Sequence, residues 1–165
     1  NLSQDVEIHP KTFENNTKLR QLKLSNASEP ETISWNPNWF QSIKTLKELV
    51  ITDERLLEIP RNAFNKSNKL TYIYIDNKKI QELNHESLGN LKNLVYLDVK
   101  SKEIKSLDFN IFDQPEALRV VKFEITKCTD RIGVTEFHNE KFEILRDLER
   151  CFEAFDSRII GERGF

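Results

Sequence analysis

The chain has 165 residues, enough for one domain with one continuous core. Its 25 basic and 27 acidic residues leave a net charge of −2, which excludes a strongly basic nucleic-acid binder and a polybasic membrane protein. No apolar run approaches the roughly 20 residues that a membrane-spanning helix needs, and four glycines and five prolines exclude a collagen-like or low-complexity chain.

A repeat of about 24 residues runs through most of the chain. Five leucines, spaced by 27, 24, 24 and 24 residues, mark its units: Leu19, Leu46, Leu70, Leu94 and Leu118. Apolar residues recur three and five positions after each leucine, which is the alternation of a short strand with one buried side. Another large apolar residue lies six positions before each leucine: Phe13, Phe40, Phe64, Leu88 and Phe112. One unit cannot bury its apolar side alone, so the pattern predicts a stacked solenoid.

Two stretches carry a resemblance to a known family. They are Leu70-Thr-Tyr-Ile-Tyr-Ile-Asp-Asn-Lys-Lys-Ile-Gln-Glu-Leu and Ile59-Pro-Arg-Asn-Ala-Phe. With the repeat, they resemble the leucine-rich repeat family, in its 24-residue extracellular form typical of Toll-like, Slit-like and insect immune proteins, over roughly residues 6–128. The resemblance implies an α/β fold, a leucine-rich repeat solenoid with a short curved parallel sheet of about five repeats. It is specific for the fold and says little about the ligand.

The turns after the strands depart from the family pattern. The family has an asparagine three positions after the second buried strand residue, and its side chain bonds neighbouring backbones. Those positions here are Ala27, Glu54, Lys78 and Lys102. Charged residues cannot be buried there without partners, so we expect looser or differently bonded turns.

The two ends of the solenoid differ. Residues 1–18 match the second half of a repeat, without a cysteine-bearing cap, so the arm Leu2–Ile8 or a partner is expected to cover that end. From Phe137 to Phe155 the period changes to three and four residues, which predicts an amphipathic C-terminal helix over the last repeat. Between Glu136 and Asp156 there are seven acids and three bases. The predicted organisation is a solenoid over 1–128, a helical cap over 129–156 and a flexible tail over 157–165.

The two cysteines and four glycosylation sequons suggest an oxidising compartment. Cys128 occupies the repeat position that holds the inward-facing Ile80 and Ile104 in earlier units, and Cys151 lies on the apolar side of the predicted helix. If the helix covers the last repeat, the two cysteines are expected to meet. A disulfide between them would close a loop of about 24 residues and stabilise the fold by roughly 3 kcal/mol. The alternative is a pair of buried free thiols. The sequons begin at Asn1, Asn15, Asn26 and Asn65. We expect a secreted, glycosylated protein.

Residues for catalysis, metal binding or cofactors are not found. His9, His85 and His138 fall in different units and none has a partner at metal or triad spacing, and the glycines are isolated. We therefore expect neither an enzyme nor a metal or cofactor site.

The exposed strand positions contain the candidate binding site. All three tyrosines of the chain fall there, on two adjacent strands, beside a valine and charges of both signs. The candidate ligand-binding residues are Tyr72, Tyr74, Tyr96, Val50, Asp76, Asp98, Lys100 and Lys122. Tyrosines favour binding hot spots, but they also favour strands and stack across them, and the pattern does not separate these explanations.

Two functions remain open at this point. The first is a secreted recognition module that binds a protein on its concave face; the resemblance implies an innate-immune or receptor-like role. The second is a structural or assembly protein that associates through its N-terminal end or its acidic helix, for instance as a homodimer. A nucleic-acid partner and a membrane span are not expected, and an intracellular adaptor with free thiols is a weaker third possibility.

Overall fold

A computed structural model describes residues 10–25, 39–40, 42–52, 54, 56, 58–89, 91–113, 115–125 and 134–138. The strands are β1 (Gln21–Ser25), β2 (Glu48–Thr52), β3 (Tyr72–Asp76), β4 (Glu82–Leu83), β5 (Tyr96–Ser101), β6 (Ser106–Leu107), β7 (Val120–Ile125) and β8 (Val134–His138). One helical turn, α1, spans His85–Leu88, and two 3₁₀ turns span Pro10–Phe13 and Phe109–Phe112.

The main sheet follows the repeat. Its order is β1-β2-β3-β5-β7-β8, and its first five strands are parallel. The register sets each residue opposite the residue one repeat away, in rows such as Leu22, Leu49, Ile73, Leu97 and Val121. The predicted parallel-sheet solenoid is therefore confirmed for the described residues, with about four turns.

The core lies between the main sheet and the return segments. Leu49, Ile73 and Leu97 are fully buried on the sheet side. On the return side, Phe40 and Phe64 stack at a ring-centroid distance of 5.7 Å. The small parallel sheet of β4 and β6 adds Leu83 and Leu107, which are also fully buried. The repeats of β2, β3 and β5 thus bury their apolar sides against their neighbours, as the spacing of their leucines predicts.

The turn after β3 is bonded differently from the family pattern, as expected, through Asn77. This residue is fully buried, one position before Lys78. Its amide nitrogen donates to the carbonyl oxygen of Leu56 at 2.9 Å, and its amide oxygen accepts from the backbone of Lys79 and Ile80. Lys78 itself is exposed and pairs with Glu54 at 3.3 Å. In this turn an asparagine therefore bonds the neighbouring backbone one position earlier than the family pattern has it.

The last described element corrects the predicted start of the C-terminal helix. β8 pairs antiparallel with β7, with Phe137 opposite Val121 and His138 opposite Val120. Phe137 and His138, where the three-and-four period begins, therefore belong to a strand. An antiparallel neighbour supplies backbone hydrogen bonds to the edge of β7, which local periodicity does not reveal. Residues 139–165, with the rest of the predicted helix and tail, lie outside the described part of the chain.

Candidate functional site

The candidate residues meet on the open face of the main sheet, the side turned away from the core. In-register pairing sets Tyr72 opposite Tyr96, and Tyr74 opposite both Val50 and Asp98. Because side chains alternate along a strand, residues at these positions point to the same side as one another. We call Tyr72, Tyr74, Tyr96 and Asp98 the tyrosine patch.

Two rings of the tyrosine patch are stacked. The ring centroids of Tyr72 and Tyr96 lie 4.7 Å apart with an interplanar angle of 12°. That distance matches the spacing of about 4.8 Å between neighbouring strands, so the stack follows directly from the register. The three tyrosines are half-buried. Burial is also the main reason why the pKa of Tyr72 is raised from its ordinary value, followed by the nearby Tyr96 and Asp98.

Asp98 lies beneath the rings instead of at the rim where the sequence analysis placed it. Only 6% of this residue is exposed. The Tyr96 hydroxyl donates a hydrogen bond of 3.2 Å to its carboxylate. Burial raises the pKa of Asp98, and this effect outweighs the opposing influence of Tyr96, Lys100 and Lys122. The correction has a steric cause, because the short side chain of Asp98 lies beside two large rings, those of Tyr74 on β3 and of Tyr96 on the same strand.

The two candidate lysines cover the tyrosine rings. The Lys100 ammonium lies 5.6 Å from the ring centroid of Tyr74, and the Lys122 ammonium lies 5.7 Å from that of Tyr96. Both distances are within the range of a cation–π contact. The Tyr74 hydroxyl also donates to the carboxylate of Asp76 at 3.4 Å. The patch is therefore an aromatic surface surrounded by charges of both signs.

The remaining candidate positions are only partly described. Asn15 and Asn65 are exposed, and the Asn65 side chain donates a hydrogen bond of 2.9 Å to Asn62. Asn1 and Asn26 lie outside the described residues, as do Cys128 and Cys151. The disulfide and the glycans therefore stay predictions.

One histidine has a partner that the sequence analysis missed. His85 at the start of α1 contacts Asp108, and Nδ1 and the backbone nitrogen of His85 both lie against the carboxylate, the latter at 3.1 Å. The same carboxylate accepts from the backbone of Asn110 at 2.9 Å. These hydrogen bonds lower the pKa of Asp108 despite its burial. The partners are 23 residues apart, about one repeat, and that offset is the signal that could have revealed them.

Two further findings concern metal binding and membrane-spanning helices among the described residues. No group of three or more His, Cys, Asp and Glu side chains among them is arranged to hold a metal ion. In the same part of the chain, no helix combines the length and the hydrophobicity needed to cross a membrane.

Comparison with known proteins agrees with the geometry. The sequence profile of the leucine rich repeat family matches residues 44–104, which include β2, β3 and β5 and so the whole tyrosine patch. No curated protein sequence matches the chain at a significant level. The profile match and the parallel solenoid together support a leucine-rich repeat protein, and this family commonly mediates protein–protein interaction.

Proposed function

Starting from the leucine-rich repeats of residues 44–104, we propose that the chain is a recognition module that binds a protein partner on the concave face of its sheet. The observation that carries this proposal is the stacked pair Tyr72 and Tyr96 on the open face. Tyrosine offers a large amphipathic area at a low cost in conformational entropy, and tyrosines are enriched among residues that dominate binding energy.

The charges around the patch support a protein ligand. Asp76, Lys100 and Lys122 lie beside the rings and are partly accessible. Interfaces commonly combine an aromatic centre with a polar rim that excludes water and sets the orientation of the partner. A partner that displaces Lys100 or Lys122 from its ring would find the aromatic faces already in place. We propose binding and not catalysis as the activity of this surface.

A double variant tests the proposal. Tyr72→Ala/Tyr96→Ala is expected to weaken binding of a partner captured from the extracellular fluid of the source at least tenfold, because a hot-spot tyrosine contributes about 2 kcal/mol or more. Its melting temperature should stay near that of the parent, since both rings are half-buried on the open face and a change at one such strand position costs on the order of 1 kcal/mol. Titration calorimetry and a thermal melt provide the two measurements.

The matched control is Tyr72→Phe/Tyr96→Phe, which keeps both rings and removes the hydroxyls. If ring area carries the binding, this variant should bind almost as tightly as the parent. If it loses as much affinity as the alanine pair, the hydroxyl of Tyr96 and its bond to Asp98 carry the recognition. Normal binding by the alanine pair would contradict the proposal and leave the stack as strand packing.

Secretion forms a second part of the proposal, supported by the sequons and by the resemblance of the repeat to the extracellular form of the family. Asn15 lies in an exposed segment with Asn16 and Thr17, which suits glycan attachment. An innate-immune or receptor-like role rests on the resemblance alone.

Mass spectrometry of the protein from a eukaryotic secretory host tests this part. A non-reducing digest is expected to join the peptides that hold Cys128 and Cys151, and added N-glycan mass is expected at one or more of Asn15, Asn26 and Asn65. Enzymatic removal of the glycans is the control for the mass assignment. Complete alkylation of both cysteines without reductant, on a product without glycans, would contradict secretion.

The assembly function keeps one observation in its favour. The inward residues Leu22 and Leu24 of β1 are only partly buried, whereas their neighbours Leu49 and Ile51 on β2 are completely buried. A second chain that docks on β1 would complete this end of the core. The mass of the particle in solution separates the two functions, since this alternative requires a dimer and binding at the tyrosine patch does not.

A further inference from the structure

Exposed basic residues are concentrated along the edge of the main sheet where its parallel strands begin. The four residues before the first four parallel strands, β1, β2, β3 and β5, are 17–20, 44–47, 68–71 and 92–95, and they include six bases and no acid. The segment before the fifth parallel strand, β7, is 116–119 and adds one base, Arg119, and one acid, Glu116. The six bases of the first four segments, which we call the basic edge, are Lys18, Arg20, Lys44, Lys47, Lys69 and Lys92. All six are exposed. The chain as a whole has a net charge of −2, so positive charge is segregated here.

Backbone hydrogen bonds hold the four segments in register. The Lys47 nitrogen donates to the Arg20 carbonyl at 2.8 Å, and the Thr71 nitrogen donates to the Lys47 carbonyl at 2.9 Å. The Val95 nitrogen continues the series by donating to Thr71 at 2.9 Å. With a strand spacing of about 4.8 Å, the bases form a strip of about 14 Å along the sheet edge.

The strip has few counter-charges among the described residues. Lys92 pairs with Glu116 at 3.8 Å, but both side chains are more than half exposed, and pairs of this kind contribute little. Glu48 lies beside Arg20 and Lys47 in an open cleft of about 570 Å³ and accepts a hydrogen bond from Gln21. No ion pair between described residues involves the other five bases.

We propose that the basic edge binds a linear sulfated polysaccharide. A flexible anionic chain can follow a narrow strip and place successive sulfates against successive lysines, whose compact ammonium groups act as point charges. Most of its affinity would come from release of counterions, so it needs no apolar anchor. This surface is separate from the tyrosine patch and does not depend on it.

Other anionic partners fit the strip less well. Protein interfaces are dominated by aromatic or aliphatic side chains that become buried on binding. Among the described residues of the four segments, Val95 is the one large apolar side chain classed as exposed, at 40%, so the strip offers a protein segment little apolar surface. A nucleic-acid-binding domain is commonly strongly basic, whereas this chain has a pI of about 6.0. A flat anionic membrane would also contact Glu48 and Asp76 on the adjoining open face, and their negative charges would repel its anionic headgroups.

The test is binding of a heparin-type dodecasaccharide by isothermal titration calorimetry between 0.05 and 0.3 M salt, roughly the range in which phosphate-type contacts respond. The edge variant is Lys44→Gln/Lys47→Gln/Lys69→Gln. The matched control is Lys78→Gln/Lys79→Gln/Lys105→Gln, which changes the net charge equally at exposed lysines away from the basic edge. A thermal melt of each variant verifies folding.

The parent is expected to bind the dodecasaccharide, and the edge variant to bind it at least tenfold more weakly. The slope of log affinity against log salt should also become shallower by about 2 for three lost contacts. The control variant should stay within twofold of the parent, and the desulfated sugar should not bind.

Three outcomes would overturn the proposal. The first is a parent protein that does not bind the sulfated probe at 0.05 M salt. The second is equal weakening by the edge and control variants, which would indicate general charge attraction. The third is tighter, edge-dependent binding of a single-stranded oligonucleotide, an acidic peptide or phosphatidylserine vesicles, which would assign the strip to that class of partner.

Discussion

Leu97→Ala is expected to lower the free energy of unfolding by about 2–5 kcal/mol, the range measured for leucine truncation in a close-packed core. Leu97 is the second residue of β5 and is fully buried between Ile73 and Val121, its neighbours in the same row. Its removal leaves a cavity at the centre of the stack, where neighbouring repeats on both sides hold the walls apart. Equilibrium unfolding in urea measures the loss.

Val95→Ala is the matched control for this change. Val95 lies two residues earlier on the same segment and is 40% exposed. Its truncation should alter stability by about 0.5 kcal/mol or less. Equal losses for the two variants would contradict the placement of Leu97 in the core and of Val95 at the surface.

Asn77→Ala is expected to have the second largest effect, a loss of about 3 kcal/mol, because one side chain makes two buried hydrogen bonds and a third that is partly buried. Removing the amide leaves the carbonyl of Leu56 and the backbone nitrogens of Lys79 and Ile80 without this partner in the protein interior. Urea unfolding measures the loss, and faster hydrogen exchange at the Lys79 and Ile80 amides would locate it.

Two variants sharpen the test of Asn77. Asn77→Asp keeps an oxygen acceptor but places a buried carboxylate oxygen against the Leu56 carbonyl, so at neutral pH its loss should be no smaller than that of the alanine variant. Lys78→Ala removes an exposed side chain whose pair with Glu54 contributes about 1 kcal/mol or less. A larger loss for Lys78→Ala than for Asn77→Ala would show that the charged position, and not the buried amide, holds the turn.

The structural findings differ in how far local sequence could predict them. The family pattern places the asparagine of this turn at position 78, but the buried, hydrogen-bonded residue after β3 is Asn77. A fixed spacing along the sequence does not reveal which residue of a turn is buried. The strand β8 was missed because its pairing with β7 is a long-range contact, whereas Phe137 and His138 continue a helical period locally. The burial of Asp98 depends on the rings of Tyr74 and Tyr96 beside it. The alternation of inward and outward side chains along one strand does not predict such covering by neighbouring side chains.

The sequence by itself determined the solenoid and which residues occupy equivalent positions in its repeats. A strict repeat of apolar residues admits one way to bury them all, and in-register stacking then brings Tyr72 beside Tyr96 without further information. Only the tertiary structure decided how the polar side chains are paired. Asn77 with Leu56, His85 with Asp108 and the lysines over the tyrosines join different repeats. Hydrogen bonds and charge contacts require atoms to be placed to within about a few tenths of an ångström, and the period of a repeat does not specify positions that closely.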